Sequence, residues 1–305
     1  MAGLKLIKSK IRSVEKTQTV TKAMEAVSAA KMRKAQMTAL GGRAYAQAAA
    51  AILARLSGSE SLKNHPMTMV RQPIERMLWI VITSDKGLAG ALNSAVLRST
   101  FSEMATYNLP IENMSVIAVG KKAYDFFTAR GFTIEAYHQN NEQVTVELID
   151  ELVREATLSF SKGATDMVML SHQQFISTFE QRAVVRQLFP LNTQQLSQIV
   201  ADIIPKKGAF AGTSSTVKVQ QYTVEPSAEE VLAVILPKLA SVFVYHALLE
   251  SQASEHSARM VAMKSASDKA EEMEHTLTLQ FNKARQAAIT REVSEITGGM
   301  EAMAN

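Results

Sequence analysis

From Ser227 to its C-terminus the chain carries one uninterrupted helical pattern, and the length of that pattern constrains the fold more than any other feature. Apolar or small residues recur at Ile235, Leu239, Val242, Leu249, Ala253, Met260, Met263, Ala270, Leu277, Phe281, Ala284 and Ala288. The steps fit the alternating three-four spacing of a coiled coil, with His246, His256, Ser267 and Glu274 at the remaining seam positions. A helix from Ser227 to Ile296 spans roughly 105 Å at 1.5 Å per residue. A compact domain is roughly 30 Å across, so such a helix is expected to project from one. A projecting rod suggests a mechanical or bridging task.

The N-terminus supplies a second long helix, expected over residues 3–56 and bent at Gly41–Gly42. Leu4, Ile7, Ile11 and Val14 share the three-four spacing, continued by Gln18, Thr21, Met24 and Val27. Polar seam positions disfavour a tight isolated dimer, and small residues allow close approach to another helix.

Charge is divided unevenly. Residues 1–58 hold 11 Lys and Arg against 2 Glu, whereas residues 227–305 hold 7 basic against 11 acidic residues. The net charge of the whole chain, +4, conceals this. The ends are complementary, so the basic helix is expected to lie along the acidic one and to face acidic partners. Exposed ion pairs contribute little each, so the pattern selects orientation more than it stabilises. Nucleic-acid binding is the usual reading of a basic helix, but aromatic interleaving is missing. The chain has no cysteine, which excludes disulfides and thiol chemistry. No apolar run is expected to span a membrane. The opening MAGLKLIKSKIRS is basic and amphipathic, as a transit peptide is, yet its pattern runs on as mature structure.

Residues 57–75 carry Gly, Ser, Asn and two prolines and read as a linker. Strands and helices then alternate. Strands are expected at Met77–Thr83, Met114–Val119, Phe132–Tyr137 and Met167–Ser171, with helices at Ser94–Tyr107, Lys121–Arg130 and Val144–Ser161. This predicts an α/β layer with a largely parallel sheet. Phe179–Leu188 and Val217–Val224 look like added antiparallel strands, separated by a loop at 192–216. Pro226 precedes the final helix, Pro237 should kink it and Gly298–Gly299 should end it. The fold class is therefore α/β plus a long coiled coil. Its domains are an N-terminal helix (1–58), a central Rossmann-like mixed-sheet domain (76–225) and a C-terminal helix (227–299). The two long helices must run antiparallel if they pair. Helix lengths of roughly 80 and 105 Å leave the C-terminal tip near NKARQAAITREVSEI without a partner in the chain. Lone helices are marginal in water, so that tip needs an external sleeve.

No catalytic constellation emerges. TSDKGLAGALN (Thr83–Asn93) joins a strand to a helix through Gly87 and Gly90, but matches neither a phosphate loop nor a dinucleotide fingerprint. It reads as a structural turn, with Asp85 and Lys86 free for a protein contact. The six histidines lack metalloprotease spacing. Met260, Met263 and Met273 read as flexible core packing.

Three stretches carry a family resemblance. KSKIRSVEKTQTVTKAMEAVSAAKMRKAQ, TSDKGLAGALN and SEHSARMVAMKSASDKAEEMEHTLTLQFNKARQAAITREVSEITGG resemble the gamma subunits of F-type ATP synthases. The likeness covers essentially the whole chain and is weakest at 59–75 and 192–216. A cysteine common in the family is replaced by Ala89, and the regulatory cysteine pair of chloroplast forms is absent. The resemblance implies a central rotor shaft. Its coiled coil would enter a ring of three alpha and three beta subunits, with its foot against the epsilon subunit and the membrane c-ring. One copy would serve each complex, peripheral on the cytoplasmic face of a bacterial inner membrane. The shaft would hold no nucleotide, cofactor, metal or catalytic site of its own, and would bind no nucleic acid. Carried over by position, Met24, Lys31, Arg33, Lys34, Asp85, Lys86, Ala89, Arg259, Gln286, Thr290 and Glu292 would touch the catalytic ring. Tyr222 and Glu225 would lie at the foot. A coiled-coil scaffold and an α/β enzyme are the rival readings.

Overall fold

A computed structural model describes residues 2–41, 62, 65–141, 143–191 and 227–304. The elements in chain order are α1 (Ala2–Gly41), β1 (Met77–Ile82), α2 (Leu92–Thr106), β2 (Met114–Val119), α3 (Lys121–Thr128), β3 (Thr133–His138), α4 (Val146–Ser161), β4 (Met167–Phe175), β5 (Gln181–Phe189) and α5 (Ala228–Ala304). They group into two compact units. One comprises Met1–Ala29 with Arg259–Asn305, and the other Ala30–Ala258.

The larger unit is built on a five-stranded sheet of order β3-β2-β1-β4-β5. The first four strands are parallel and β5 is antiparallel to β4. Every residue of β1 is buried, as a central parallel strand covered on both faces requires. Successive side chains point to opposite faces, so β1 feeds two cores. Leu78, Ile80 and Ile82 pack with Leu152, Ala156 and Phe160 of α4 and with Leu236, Leu239, Phe243 and Leu248 of α5. Met77, Trp79 and Val81 pack with Val96, Leu97 and Met104 of α2 and Phe127 of α3. The Thr145 hydroxyl accepts from the Leu148 N–H at 3.3 Å, which starts α4.

The polar segment before β1 is more than a linker. Leu62 and Met67 are buried in the α4/α5-side core, and the Leu191 N–H donates to the Met67 carbonyl at 2.8 Å. Asp166 accepts from the backbone N–H groups of Glu75 and Arg76. Two apolar side chains and a few backbone bonds suffice to dock a segment of linker-like composition.

The first part of α5 also departs from a simple coiled-coil seam. Between Val242 and Ser254 every residue is buried or half-buried, so there is no solvated face to define a stripe. The helix is long and apolar enough to cross a membrane by length and composition, contrary to the expectation from sequence. Its apolar residues instead serve the α/β core. Hydrogen bonds fasten it there: Gln252 donates to the Asn141 carbonyl at 2.7 Å, Ser257 to the Thr178 carbonyl at 2.7 Å, and His172 meets Glu250 at 3.2 Å. His246 and His256 lie in this buried stretch. Pro237 is accommodated inside the helix, and Gly298–Gly299 do not end it. A helical glycine costs only about 1 kcal/mol relative to alanine, too little to stop a helix outright.

In the smaller unit α1 and α5 run antiparallel. The Ser267 hydroxyl donates to Thr21 Oγ1 at 2.6 Å, and Gln18 donates to Glu271 at 3.1 Å. The α5 seam at Met263, Ser267, Ala270, Glu274, Leu277, Phe281, Ala284 and Ala288 is buried or half-buried as the spacing requires. The α1 seam follows Leu4, Ile7, Ile11, Val14, Gln18, Thr21 and Met24, but then passes to Ser28, because Val27 is exposed. Met273, expected to pack in the core, is instead exposed, one residue before the seam position Glu274. Of the bend expected at Gly41–Gly42, Gly41 is the last residue of α1 and Gly42 lies outside the described residues, as do the helical segment 43–56, the loop at 192–216 and the strand at Val217–Val224.

Candidate functional site

Open α/β sheets bind ligands at the carboxyl ends of their strands, where the chain order reverses. Here that point is the end of β1, between β2 and β4. Protein atoms close it. The Thr83 N–H donates to the Val119 carbonyl at 2.8 Å, and its hydroxyl accepts from the Ala123 N–H at 2.9 Å. The Thr83 carbonyl accepts from Asn140 at 2.7 Å. Gly120, at φ +90°, packs so closely on Thr83 that an added Cβ would fall on the Thr83 carbonyl. Gln173 fills the β4 side by donating to the Leu92 carbonyl at 2.8 Å.

The loop from Thr83 to Ala91 is hydrogen-bonded into its surroundings. The Ser84 N–H donates to Asn93 Oδ1 at 3.0 Å, and Asn93 Nδ2 donates back to Ser84 Oγ at 2.7 Å. Asp85 accepts from the Lys121 N–H at 2.7 Å, satisfying a donor at the start of α3. Ala89 is buried, whereas Lys86, Gly87 and Leu88 are exposed. Leu88 and Gly90 both adopt positive φ, +64° and +58°. Tyr137 shares this end of the sheet. Burial raises its hydroxyl pKa first, with Asp85, Asp125 and Tyr124 adding to the effect.

Among the described residues no group of three or more His, Cys, Asp or Glu is placed to hold a metal ion. Lys5, Lys8, Lys10, Arg12, Lys16 and Lys22 are exposed along α1. Lys22 pairs loosely with Glu271 at 3.9 Å. Beyond Ala288 every α5 residue whose burial is described is exposed, and Ile289, Val293, Ile296 and Met300 form a bare apolar stripe.

A family model described as ATP synthase matches residues 3–303. A gamma chain of ATP synthase from Heliobacterium modesticaldum is 40% identical over 99% of this chain and 100% of its own length. The chain belongs to the ATP synthase gamma chain family. The Pelotomaculum thermopropionicum gamma chain is 38% identical with the same coverage. Solved structures share the fold. A chain of the Euglena gracilis mitochondrial ATP synthase, titled OSCP/F1/c-ring, aligns with a TM-score of 0.65 at 18% identity, covering 99% of this chain and 95% of that one. A chain of the Tetrahymena thermophila central stalk and c-ring aligns at 0.60 with 23% identity, over 81% and 99%.

The residues expected from sequence to meet partners separate into two sets. Met24, Arg259, Gln286, Thr290 and Glu292 belong to the paired-helix unit, and Lys31, Arg33, Lys34, Asp85, Lys86 and Ala89 to the α/β unit. Arg33, Lys34, Lys86, Gln286, Thr290 and Glu292 are exposed. Met24 and Lys31 are half-buried, and Arg259 and Ala89 are buried. Asp85 is engaged in capping α3. Tyr222 and Glu225 lie outside the described residues. Sequence reasoning passed over Leu88, whose place between Gly87 and Gly90 was the available signal of an unusual backbone.

Proposed function

We propose that this gamma-family chain is the central rotor shaft of a proton-translocating ATP synthase. It couples rotation of the membrane ring to conformational cycling of the catalytic ring. The observation that carries the reading is α5 itself, one helix of 77 residues. Its first part is locked into an α/β core, its middle pairs with α1, and its last turns are bare. A transmission element needs a firm anchor at one stretch and releasable contacts at another. Exposed charge contacts of about 0–1 kcal/mol each suit a surface that must be made and released in every cycle.

On this reading three alpha and three beta subunits sleeve the bare tip of one gamma copy. The epsilon subunit and the c-ring hold the foot. Arg33, Lys34 and Lys86 meet the ring from the α/β unit, with Met24, Gln286, Thr290 and Glu292 from the paired helices. Arg259 and Ala89 act from beneath the surface. The complex is peripheral on the cytoplasmic face of a bacterial plasma membrane. On the same reading catalysis belongs to the ring, and Thr83, Gly120, Asn140 and Gln173 pack together at the strand ends of this chain.

Co-expression with alpha, beta and epsilon tests the proposal. One gamma copy should purify with three of each ring subunit, and imaging should find α5 in the ring's bore. A chain that purifies alone, with no nucleotide-hydrolysing partner, counts for the scaffold reading. Neutralising Arg33 and Lys34, or Met24→Lys, should lower the ratio of ATP made to protons moved. Unchanged coupling in all such variants removes those residues from the contact set.

A further inference from the structure

The turn between β4 and β5 carries the most exposed large apolar side chain among the described residues, Phe179, which is 85% exposed. Its backbone is closely hydrogen-bonded. The Ile176 and Ser177 N–H groups donate to the Glu180 carbonyl at 3.2 and 2.9 Å, and the Glu180 N–H donates to the Ser177 carbonyl at 3.3 Å. The Gln181 amide donates to the Ser177 and Thr178 carbonyls at 3.1 and 3.0 Å. The Ser257 hydroxyl of α5 donates to the same Thr178 carbonyl at 2.7 Å. A bonded frame thus holds Phe179 while its ring stands in solvent. Turns favour Gly, Asn, Asp and Ser. Phe179 and Ile176, 45% exposed, instead put two large apolar side chains on one turn, as a docking surface does.

Direction decides what the turn can meet. β4 lies beside α5 and runs the same way: His172 meets Glu250 at 3.2 Å, the Gln173 N–H donates to Ser251 at 3.2 Å, and Thr178 accepts from Ser257. β1 pairs with β4 only as far as Ser171, so β4 and β5 run on as a two-stranded ribbon from His172 to Phe175, roughly 13 Å at 3.3 Å per residue. α5 starts at Ala228, next to the positions assigned to the foot, so the turn points away from the foot. We infer that Phe179 and Ile176 dock in an apolar recess of the catalytic ring, with Gln181 and Ser257 as positioning residues for the turn. The inference rests on the reading that α5 enters that ring. The tether at Ser257 comes two residues before Arg259, a position expected to meet the ring. The recess needs no matching charge, because Glu180 and Arg182, which flank Phe179, meet each other at 3.4 Å. A turn already ordered loses little freedom on docking, which suits a contact made and broken in every cycle.

The test places a photo-reactive phenylalanine analogue at position 179 of the complete ATP synthase. Capture of alpha or beta supports the inference. Capture of epsilon or the c-ring alone, or of no subunit, overturns it. Phe179→Ser and Phe179→Leu are then assayed in the same complex and in the full-length chain. Phe179→Ser should leave the thermal midpoint of the chain unchanged, because so exposed a ring contributes little to the fold. ATP synthesis driven by an imposed proton gradient should fall about threefold or more, as for loss of an apolar anchor. Phe179→Leu should keep most of the activity. Undiminished synthesis in Phe179→Ser, a lowered midpoint in that variant, or an equal loss in Phe179→Leu each overturns the inference. Imaging of the same complex tests the underlying reading separately. With α5 in the bore and no capture of alpha or beta from position 179, the inference fails alone. With α5 outside the bore, the reading and the inference fall together.

Discussion

Two stretches of the same helix live under different physics. From Leu232 to Ser257, α5 is a core element. Leu232, Leu236, Ala240, Val244 and Leu248 have no measurable exposure, and polar neighbours are tied to sheet and loops. From Met260 to Ala288 it meets its partner along one narrow seam, where Ser267 and Ala270 occupy positions that a permanent zipper would fill with leucine. The comparison teaches where stability resides. Burial of large side chains fixes the first stretch, whereas the second relies on close approach and a few hydrogen bonds. A transmission element needs that division, because a seam too adhesive to adjust would resist torsion.

The sharpest way to break the comparison is to truncate one apolar side chain in each stretch. Leu236→Ala removes a fully buried side chain and should destabilise the chain by about 2–5 kcal/mol. Leu277→Ala removes a half-exposed one and should cost about 1 kcal/mol or less. Urea unfolding followed by circular dichroism reads both. Equal losses would show that the seam carries as much stability as the core and would collapse the distinction.

The next effect is smaller and belongs to the seam alone. Thr21→Val leaves the buried Ser267 hydroxyl without its 2.6 Å acceptor and should cost about 1 kcal/mol. Thr21→Val combined with Ser267→Ala removes both polar groups and should recover most of that loss. A double mutant as unstable as the sum of its parts would mean that shape, not hydrogen-bond satisfaction, governs the pairing.

Much of this was legible in residue spacing. The seam from Met263 to Ala288 follows the three-four steps without a slip, because a paired helix has one buried stripe. β1 read clearly because MLWIVI is apolar at every position, as a strand covered on both faces must be. The failures are equally physical. Val242–Ser254 fits a heptad, yet burial on several sides makes the periodicity uninformative there. Val27 and Ser28 exchange the roles that hydrophobicity assigns them, since the close approach that buries Thr21 and Ser28 favours small residues. At the candidate site, the family resemblance put forward Arg33, Lys34 and Lys86, which are exposed. It could not reveal that Asp85 caps a helix distant in sequence, nor that Ala89 faces inward.

Electrostatics should matter less than either packing or hydrogen bonding along the seam. Lys22 and Glu271 are 3.9 Å apart with both side chains more than half exposed, so Lys22→Ala should change stability by about 0.5 kcal/mol or less. The small change should vanish at high salt, where exposed pairs are screened. A larger, salt-resistant loss would transfer part of the pairing energy from the seam to its flanks.

The smallest expected effect lies in the α/β unit and is local. Burial lowers the His65 pKa from its ordinary 6.5, and the ring nitrogen Nδ1 accepts the Met67 N–H at 3.2 Å. Both observations favour the neutral ring in the folded state. Above pH 6.5 the ring is neutral whether the turn is closed or open, so the stabilisation is complete. As pH falls below that value the open turn takes up a proton more readily, and the stabilisation is lost as pH passes through the lowered folded-state value. Protonated Nδ1 can no longer accept from Met67. Amide exchange at Met67, corrected for the intrinsic effect of pH, should accelerate on mild acidification while exchange in β1 stays unchanged. His65→Gln should remove that acceleration. If β1 loosened in parallel, the turn around Met67 would be part of the core's own cooperative unit, and the line between anchor and periphery would have to be redrawn inside the α/β unit itself.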